Sequence, residues 1–293
     1  MSTERKPASE YTRSRNAAQS VPQDSTDFDR ARRGFIADIH DRRVRDTDGR
    51  VVMDAERYSF LEPGNPAPDT VHPSLWRHAQ LNHHRGLFEV IPGVWQVRGY
   101  DISNITFIRG TKGWLVIDPL TTAPTARAAY ELVSEHIEKL PVTAVIDTHS
   151  HTDHFGGVLG VTSQEAVDRG ECMVIAPEHF LHEVVGENVI AGFAMGRRAL
   201  YQFGPLLPAG PQGHVDCGLG NSIPLGGPGL IPPTVDITRT GEEMTIDGIR
   251  VVFQLTPETE APAEMNFYFP DLKALCMAET CYHTMHNLVP IRG

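Results

Sequence analysis

A short apolar run followed by a cluster of histidines is the feature that most constrains this chain. The β-branched segment 142–146 has the length and composition of a buried strand. It leads into the string His-Ser-His-Thr-Asp-His at 149–154, which places three imidazoles and a carboxylate within six residues. Because the cluster directly follows a buried strand, we expect it in a turn at the rim of a sheet.

The side chains of this string are typical ligands of a hydrolytic metal ion such as Zn²⁺. His149 and His151 alternate by two positions and can face the same way, whereas Asp153 and His154 belong to the next turn. Two pairs on one turn predict two adjacent metal ions. The alternative is a solvated histidine-rich loop. An H-x-H-x-D-H string arises by chance in only about one chain in five hundred of this composition, which favours the metal site.

The string resembles the metal-binding motif of the metallo-β-lactamase superfamily, and the downstream sequence narrows the resemblance. In that superfamily the next ligand is usually a histidine in a T-P-G-H-T-x-G turn, and the one after it is an aspartate following an apolar strand. Here Glu260 occupies the first position, and Glu279 follows the apolar segment 274–278. Glutamates in both positions, with T-E-A-P-x-E-M-N-F-Y-F-P from Thr259 onwards, resemble the linear alkylsulfatases of this fold.

Further motifs along the chain agree with the alkylsulfatase resemblance, which covers about residues 27 to 293. They are R-G-F-I-A at 33–37, P-S-L-W-R at 73–77, G-L-F-E-V at 86–90, Q-V-R-G-Y-D at 96–101 and H-T-M-H-N-L at 283–288.

The resemblance implies a site with two zinc ions. They would be held by His149, His151 and Glu260 on one side and by Asp153 and His154 on the other, with Glu279 close to both or bridging them. Cys281 follows the last of these ligands by two residues, so a metal role for its thiol is a further, weaker alternative.

Two more residues receive roles from the resemblance. Asp118 ends the apolar run 114–117 and would support the metal-binding turn as a hydrogen-bond acceptor behind the ligands. A carboxylate in an ordinary strand-end turn is the alternative. Arg292 occupies the position of a sulfate-binding arginine, where a guanidinium fork holds two sulfate oxygens at once. An ordinary surface arginine is the alternative there.

The implied activity is metal-dependent hydrolysis of linear alkyl sulfate esters to an alcohol and inorganic sulfate. Two alternatives stay open: another hydrolase of the same fold (a lactonase, thioesterase or phosphodiesterase) and a metal-binding remnant without activity. Glu260 argues against the first, because those hydrolases keep a histidine at its position. Alkyl chain length, primary or secondary esters, and attack at sulfur or carbon are left open by the sequence.

A long segment rich in glycine and proline, 202–233, follows the expected helical region. A loop of this length in a compact domain usually carries function or covers a site. Tyr201, Phe203 and Leu206 at its start would line an apolar groove for the alkyl tail of a small amphiphilic substrate. Ordinary core packing is the alternative for these side chains.

Composition limits the other possibilities. The 293 residues have 40% apolar content, enough for a large core, and a net charge of −11 without a long basic block argues against nucleic-acid binding. The polar segment 1–27 is predicted to be a disordered tail ahead of a catalytic domain at 28–293. Without a signal-peptide core or a membrane-spanning run, we expect a cytoplasmic protein with no stable membrane insertion.

The predicted fold is an α/β (α+β) protein, a metallo-β-lactamase αββα sandwich that is incomplete at its C-terminal side. A strand meander at 87–118 precedes a helix from Pro124 and the strand at 142–148, and strands return after 235. The resemblance implies that the 293 residues would not include the helical dimerisation region, the sterol-carrier-like domain or the last histidine of the second metal found in the relatives. Full-length relatives are expected to form homodimers.

Overall fold

The computed structural model describes residues 6–21 and 24–281, and within them strands account for most of the core. The strands are numbered in chain order: β1 Phe35–Ala37, β2 Arg43–Arg45, β3 Val51–Asp54, β4 Gly86–Ile91, β5 Val94–Arg98, β6 Ile105–Arg109, β7 Trp114–Ile117, β8 Val142–Ile146, β9 Met173–Pro177, β10 Val235–Ile237, β11 Glu243–Ile246, β12 Ile249–Leu255, β13 Met265–Phe269 and β14 Ala274–Cys276.

The helices are short, apart from two of 12 and 14 residues. They are α1 Glu10–Ala17, α2 Thr26–Arg32, α3 Pro73–Asn82, α4 Ala123–His136, α5 Thr152–Phe155, α6 Gln164–Asp168, α7 Phe180–Val185 and α8 Gly192–Phe203. Single 3₁₀ segments lie at Ala55–Leu61 and Val158–Gly160, and a π-helical turn at Gly186–Ile190 joins α7 to α8.

Two sheets form the framework of the domain. The larger has eight strands in the order β1-β4-β5-β6-β7-β8-β9-β10, antiparallel as far as β7 and parallel from β7 to β10. The smaller is an antiparallel sheet in the order β11-β12-β13-β14. The parallel strands bring their carboxyl ends to one edge, and the histidine string directly follows β8 there.

Each face of the large sheet is covered by a separate core. On one face, α4 contributes Ala126, Ala129, Leu132 and Val133 to a cluster that includes Val116 and Val145. Pro124 near the start of α4 fits a helix beginning, because proline there lacks only an N–H that would have no intrahelical partner. On the other face, Ile117 and Ile146 pack with the small sheet through Val251, Phe253 and Phe267. This arrangement agrees with the predicted sandwich.

The structure differs from the sequence prediction at the N-terminus, where α1 and the beginning of α2 lie in the segment expected to be disordered. Ser9 caps α1, because its side chain accepts a hydrogen bond from the Thr12 backbone N–H at 3.1 Å. The Asn16 amide donates to the Asp69 carbonyl at 2.8 Å, which ties the helix to the domain. No α1 residue is buried, in keeping with its polar composition.

The segment 155–168 after the histidine string does not form one continuous helix. It is broken into α5, a 3₁₀ turn and α6. Gly156 and Gly157 interrupt it, since a Cβ atom would lie 2.3 Å from the Thr121 carbonyl oxygen at Gly156 and 2.0 Å from that of Pro119 at Gly157. The two glycines therefore let the metal-binding turn pack directly on the loop after β7.

Candidate metal centre

The six predicted ligands meet at the carboxyl end of β8. His149 and His151 lie in the turn after the strand, and Asp153 and His154 lie in α5, all of them buried. The glutamates come from the loops that follow β12 and β14 in the small sheet. Because these loops belong to the other sheet, the site lies where the two sheets adjoin.

The first group consists of His149, His151, Glu260 and Glu279, which offer ligand atoms within 4.8 Å of one another. Glu260 Oε2 lies 3.2 Å from His149 Nε2 and 2.9 Å from His151 Nδ1. Glu279 Oε2 lies 3.8 Å from His149 Nε2. The chain thus brings two imidazoles and two carboxylates to one point.

The second group consists of Asp153, His154 and again Glu279. His154 Nε2 lies 3.3 Å from Asp153 Oδ2 and 3.4 Å from Glu279 Oε2. Glu279 is therefore common to both groups, which is the position that a carboxylate between two adjacent ions would occupy.

The donor atoms fit a small divalent cation. Ligand atoms at the corners of a tetrahedron around Zn²⁺ lie about 3.3–3.4 Å apart when each bond is about 2.0–2.1 Å long. The separations in both groups, from 2.9 to 3.8 Å, bracket that value. Imidazole nitrogens and carboxylate oxygens are also the ligands of hydrolytic zinc sites. The residues present could therefore hold metal ions.

Negative charge surrounds the ring of His154. Burial alone would lower the pKa of this histidine, but the charges of Asp153, Glu279 and Asp118 raise it well above the usual range. Asp118 Oδ2 also lies 2.8 Å from His154 Nδ1. The surplus of carboxylates is the electrostatic setting in which a bound cation would be stabilised.

Asp118 lies beside the potential ligands, and its predicted supporting role remains a prediction. Its carboxylate accepts hydrogen bonds from the Thr148 backbone N–H at 2.9 Å and from the Thr148 hydroxyl at 2.8 Å. Thr148 Oγ1 in turn lies 2.9 Å from His149 Nδ1. Asp118 has a left-handed backbone, with φ of 52°. A single buried carboxylate thus contacts both arms of the metal-binding turn.

Glu264 was not assigned a role from sequence, yet it anchors the loop that carries Glu260. Its buried carboxylate accepts hydrogen bonds from the Glu260 and Ala261 backbone N–H groups at 2.8 and 3.1 Å and from the Thr259 hydroxyl at 2.7 Å. The position of Glu264, immediately before β13 and within the T-E-A-P-x-E motif, was the only sequence signal available.

A cavity of about 540 Å³ opens onto Asp118 and onto the potential metal ligands His154 and Glu279. Its wall also includes Arg33 and Arg98, which the sequence reasoning did not single out. Burial, together with the nearby charge of Arg33, lowers the pKa of Arg98 to about 10. The cavity therefore joins a cluster of carboxylates and imidazoles to a region of positive charge.

Comparison with known families agrees with the site. Residues 98–275 match the profile of the metallo-β-lactamase superfamily. The chain belongs to this superfamily. The match includes β8, the histidine string and Glu260, whereas Glu279 lies four residues beyond it.

Within the superfamily, the chain is similar to alkylsulfatases, which confirms the resemblance seen in the sequence. It is 46% identical over 291 residues to a linear primary-alkylsulfatase from Pseudomonas sp., covering 98% of this chain and 43% of the relative. It is 48% identical to an alkyl/aryl-sulfatase of Saccharomyces cerevisiae, covering 92% of this chain and 42% of the relative. The chain thus spans less than half the length of these relatives.

A solved structure has the same fold. A stereoselective inverting sec-alkylsulfatase from Pseudomonas sp. superposes with a TM-score of 0.90 at 44% identity, covering 94% of this chain and 44% of that chain. Because 94% of this chain is matched, the similarity covers most of the residues that form the two sheets. The predicted metallo-β-lactamase fold is confirmed.

The remaining predicted site residues lie apart from the metal centre or outside the described residues. Arg292 lies within residues 282–293, outside the part of the chain that the structure describes. His283 and His286 lie in the same range. Phe203 is buried in a small core cluster with Ile102 and Cys217, whereas Tyr201 and Leu206 are largely exposed. The three do not share one environment, so Phe203 is better described as core, and a tail-binding role remains a prediction for Tyr201 and Leu206.

Two further observations concern the described residues. Cys281 is exposed and belongs to neither group of potential ligands among residues 6–21 and 24–281. None of the helices in those ranges is both long and apolar enough to pass through a bilayer.

Proposed function

We propose that the chain binds two zinc ions and hydrolyses linear alkyl sulfate esters to an alcohol and inorganic sulfate. The observation that carries the proposal is the placement of Glu260 and Glu279. Their carboxylate oxygens lie 2.9–3.8 Å from the histidine nitrogens, at the two positions where the sequence resembles the alkylsulfatases. The similarity to alkylsulfatases over nearly the whole chain supports the same substrate class.

The charge of the ligand set suits an anionic ester. Three carboxylates, from Asp153, Glu260 and Glu279, only partly neutralise the four positive charges of two zinc ions, provided that the imidazoles are neutral. Net positive charge would then remain where a sulfate group binds. This local charge matters because the chain as a whole carries a net charge of −11 and would repel an anion at long range.

The chemistry expected of bound zinc is general for such sites: it lowers the pKa of water towards neutrality and stabilises negative oxygens as an ester bond breaks. The residues of this chain would hold the histidine rings in place and keep bulk water away from them. Asp118 and Thr148 each contact one nitrogen of a ligand imidazole, so the other nitrogen is directed towards the ligand groups. The burial of His149, His151 and His154 excludes bulk water from the ligand side.

The cavity supplies room for the substrate. A volume of about 540 Å³ lies within the usual range of roughly 300–1,000 Å³ for small-molecule sites. Its wall combines metal-binding residues with apolar ones such as Ile102 and Leu219 and with the cations Arg33 and Arg98. An ester with an anionic head and an apolar tail matches these two kinds of surface.

The relatives do not define one type of ester. They include a linear primary-alkylsulfatase, an alkyl/aryl-sulfatase and an (R)-specific secondary-alkylsulfatase, the last 44% identical to this chain. We therefore propose the class of alkyl sulfate esters rather than a single substrate. The predicted sulfate contact of Arg292 and tail contacts of Tyr201 and Leu206 belong to this proposal.

The test is sulfate release from dodecyl sulfate by the 293-residue chain loaded with zinc, measured beside its bound-zinc content. Lactone, thioester and phosphodiester substrates are assayed in parallel. His149→Ala should lose zinc and nearly all sulfate release while retaining the fold, because the chain has a large core independent of the site. His182→Ala, at a histidine whose side chain is 83% exposed, is the matched control.

Two outcomes would refute the proposal. A zinc-loaded chain that releases no sulfate would be a metal-binding protein without this activity. Faster turnover of a lactone, thioester or phosphodiester than of dodecyl sulfate would assign the chain to another hydrolase class of the superfamily.

A further inference from the structure

Each of the three histidine rings directs one nitrogen towards the other potential ligands. The second nitrogen faces an oxygen atom of a residue that is not itself a potential ligand. For His149, that second nitrogen is Nδ1, 2.9 Å from Thr148 Oγ1. For His154 it is Nδ1, 2.8 Å from Asp118 Oδ2. For His151, whose Nδ1 faces Glu260, it is Nε2, and Glu187 Oε2 lies 3.9 Å away. Glu187 thus places a carboxylate on the outer side of His151, at an ion-pair distance that is longer than the hydrogen bonds of the other two rings.

The residue after Glu187 makes a second contact with the same turn. The Thr152 hydroxyl lies 2.5 Å from Asn188 Oδ1, and Asn188 Nδ2 donates to the Val184 carbonyl at 3.0 Å. Two consecutive residues of one segment, Glu187 and Asn188, therefore face two consecutive residues of the metal-binding turn, His151 and Thr152. A paired contact of this kind restrains both the position and the rotation of the turn.

The segment that carries these residues is an irregular one. Gly186–Ile190 forms a single π-helical turn, closed by a hydrogen bond from the Ala191 N–H to the Gly186 carbonyl at 3.0 Å. Such turns are rare and recur at functional sites. The side chains that follow, Val189 and Ile190, are 74% and 82% exposed, so they bury little apolar surface to hold the segment. The contacts of Glu187 with His151 and of Asn188 with Thr152 are among those that attach the segment to the domain.

We propose that Glu187 is a positioning residue for the metal centre: it orients the His151 imidazole, and with Asn188 it couples the turn Gly186–Ile190 to metal binding. The inference rests on the zinc site proposed above. A carboxylate at the outer nitrogen of a ligand imidazole favours one orientation of the ring and raises its basicity as a ligand, and Glu187 is 3.9 Å from that nitrogen of His151. Loss of such a partner weakens metal binding by about 10–100-fold in comparable sites.

The experiment measures the zinc dissociation constant by competition with a chromophoric chelator, together with the thermal midpoint of the metal-free protein. Glu187→Ala should weaken zinc binding by about 10–100-fold and leave the number of bound ions and the metal-free midpoint unchanged. Glu187→Gln, which keeps the size and one acceptor oxygen, should weaken binding less. Glu183→Gln is the matched control, because Glu183 lies one turn earlier and its closest imidazole is His182, at 3.9 Å.

The possible results separate four cases. Unchanged zinc affinity in Glu187→Ala would overturn the proposal. A lower number of bound ions would overturn it in another way, by making Glu187 a ligand. A lower metal-free midpoint with unchanged affinity would reduce the residue to a structural role. Because zinc binding is measured without substrate, weakened binding in a chain that releases no sulfate would support this inference while refuting the proposed function.

Hydrogen exchange gives an independent readout of the coupling. In the unaltered chain, adding Zn²⁺ should slow exchange of the amides in 186–190, since a ligand that stabilises one side of a contact also stabilises the other. Asn188→Ala should diminish that protection, whereas Glu183→Gln should retain it. Equal protection of 186–190 with and without Zn²⁺ in the unaltered chain would contradict the coupling.

Discussion

Asp118 Oδ2 lies 2.8 Å from His154 Nδ1, although the two residues are 36 positions apart in the chain. Asp118 follows β7 and His154 lies in α5 after β8, so the contact spans the ends of two neighbouring parallel strands. The same carboxylate accepts two hydrogen bonds from Thr148. One buried residue therefore sets the ring of a ligand and the strand end that precedes it.

Changing Asp118→Asn tests this relationship with little change in volume. The amide keeps one acceptor oxygen but loses the charge beside His154, so we expect zinc affinity to fall by about 10–100-fold while the folded structure persists. The dissociation constant, measured by chelator competition, checks this. Asp271→Asn, at an exposed turn position, should leave the affinity unchanged. Equal affinities in both variants would remove Asp118 from the metal site.

Because Glu279 belongs to both groups of potential ligands, replacing it should remove more bound zinc than replacing Glu260. Glu260 contacts only the histidines of the first group, whereas Glu279 belongs to both groups. Glu260→Gln should therefore lower occupancy of one site, and Glu279→Gln should lower occupancy of both. Zinc per chain, determined by elemental analysis at a fixed free zinc concentration, separates these results. Loss of a single ion in Glu279→Gln would show that its carboxylate is not shared.

Apolar packing between the two sheets should stabilise the folded domain that carries the candidate metal site. Phe267 is 1% exposed, and its ring centroid lies 5.9 Å from that of Phe253 and 5.7 Å from that of Phe269. Phe267→Ala should lower the free energy of unfolding by about 3–5 kcal/mol, because it leaves a cavity in the core. Leu275→Ala, at a 57% exposed position of the same sheet, should cost much less. Urea unfolding of the two variants makes the comparison, and similar costs would contradict the packing described.

The pH dependence of stability should include a contribution from Asp216, which lies outside the metal site. Burial raises the pKa of its carboxyl group to about 7, against the hydrogen bonds from Gly218, Asn82 and Asn221 that lower it. The folded chain keeps this proton up to about pH 7, whereas the unfolded chain releases it near the ordinary value of 3.8. The contribution of Asp216 to stability therefore falls as pH rises from about 4 to 7, by at most about 1.4 kcal/mol per pH unit.

The variant Asp216→Asn removes this titration. In the unaltered chain, the Asp216 contribution to the free energy of unfolding falls between pH 5 and pH 7. In the variant this fall is absent, so its free energy of unfolding should decrease less, or increase more, over the same pH range. Asp48→Asn, at a carboxylate whose side chain is 67% exposed, provides the control. The assignment would be wrong if Asp216→Asn and the unaltered chain showed the same difference between the two pH values.

Several potential ligands of the candidate metal centre could be predicted because the pattern that marks them spans only a few residues of the sequence. The strand at 142–146 and the spacing of His149, His151 and His154 placed three ligands on one turn, since a short apolar strand and the turn after it depend on near neighbours. The two glutamates were found by resemblance to a family motif. The loop expected over 202–233 is largely irregular in the structure for the same local reason, its content of glycine and proline.

The orientation of those ligands was decided only by the tertiary structure. The contacts of Asp118 with His154 and of Glu187 with His151 join different elements of the fold, whereas Glu264 holds the Glu260 loop from four residues further along the chain. Their geometry depends on strand order, on the close approach that Gly157 permits and on which side chains are buried. Sequence spacing determines which groups can bind a metal, because it acts over a few residues. The rings of His154 and His151 face carboxylate oxygens of Asp118 and Glu187, which lie 36 positions away in the chain and come near only in the folded structure.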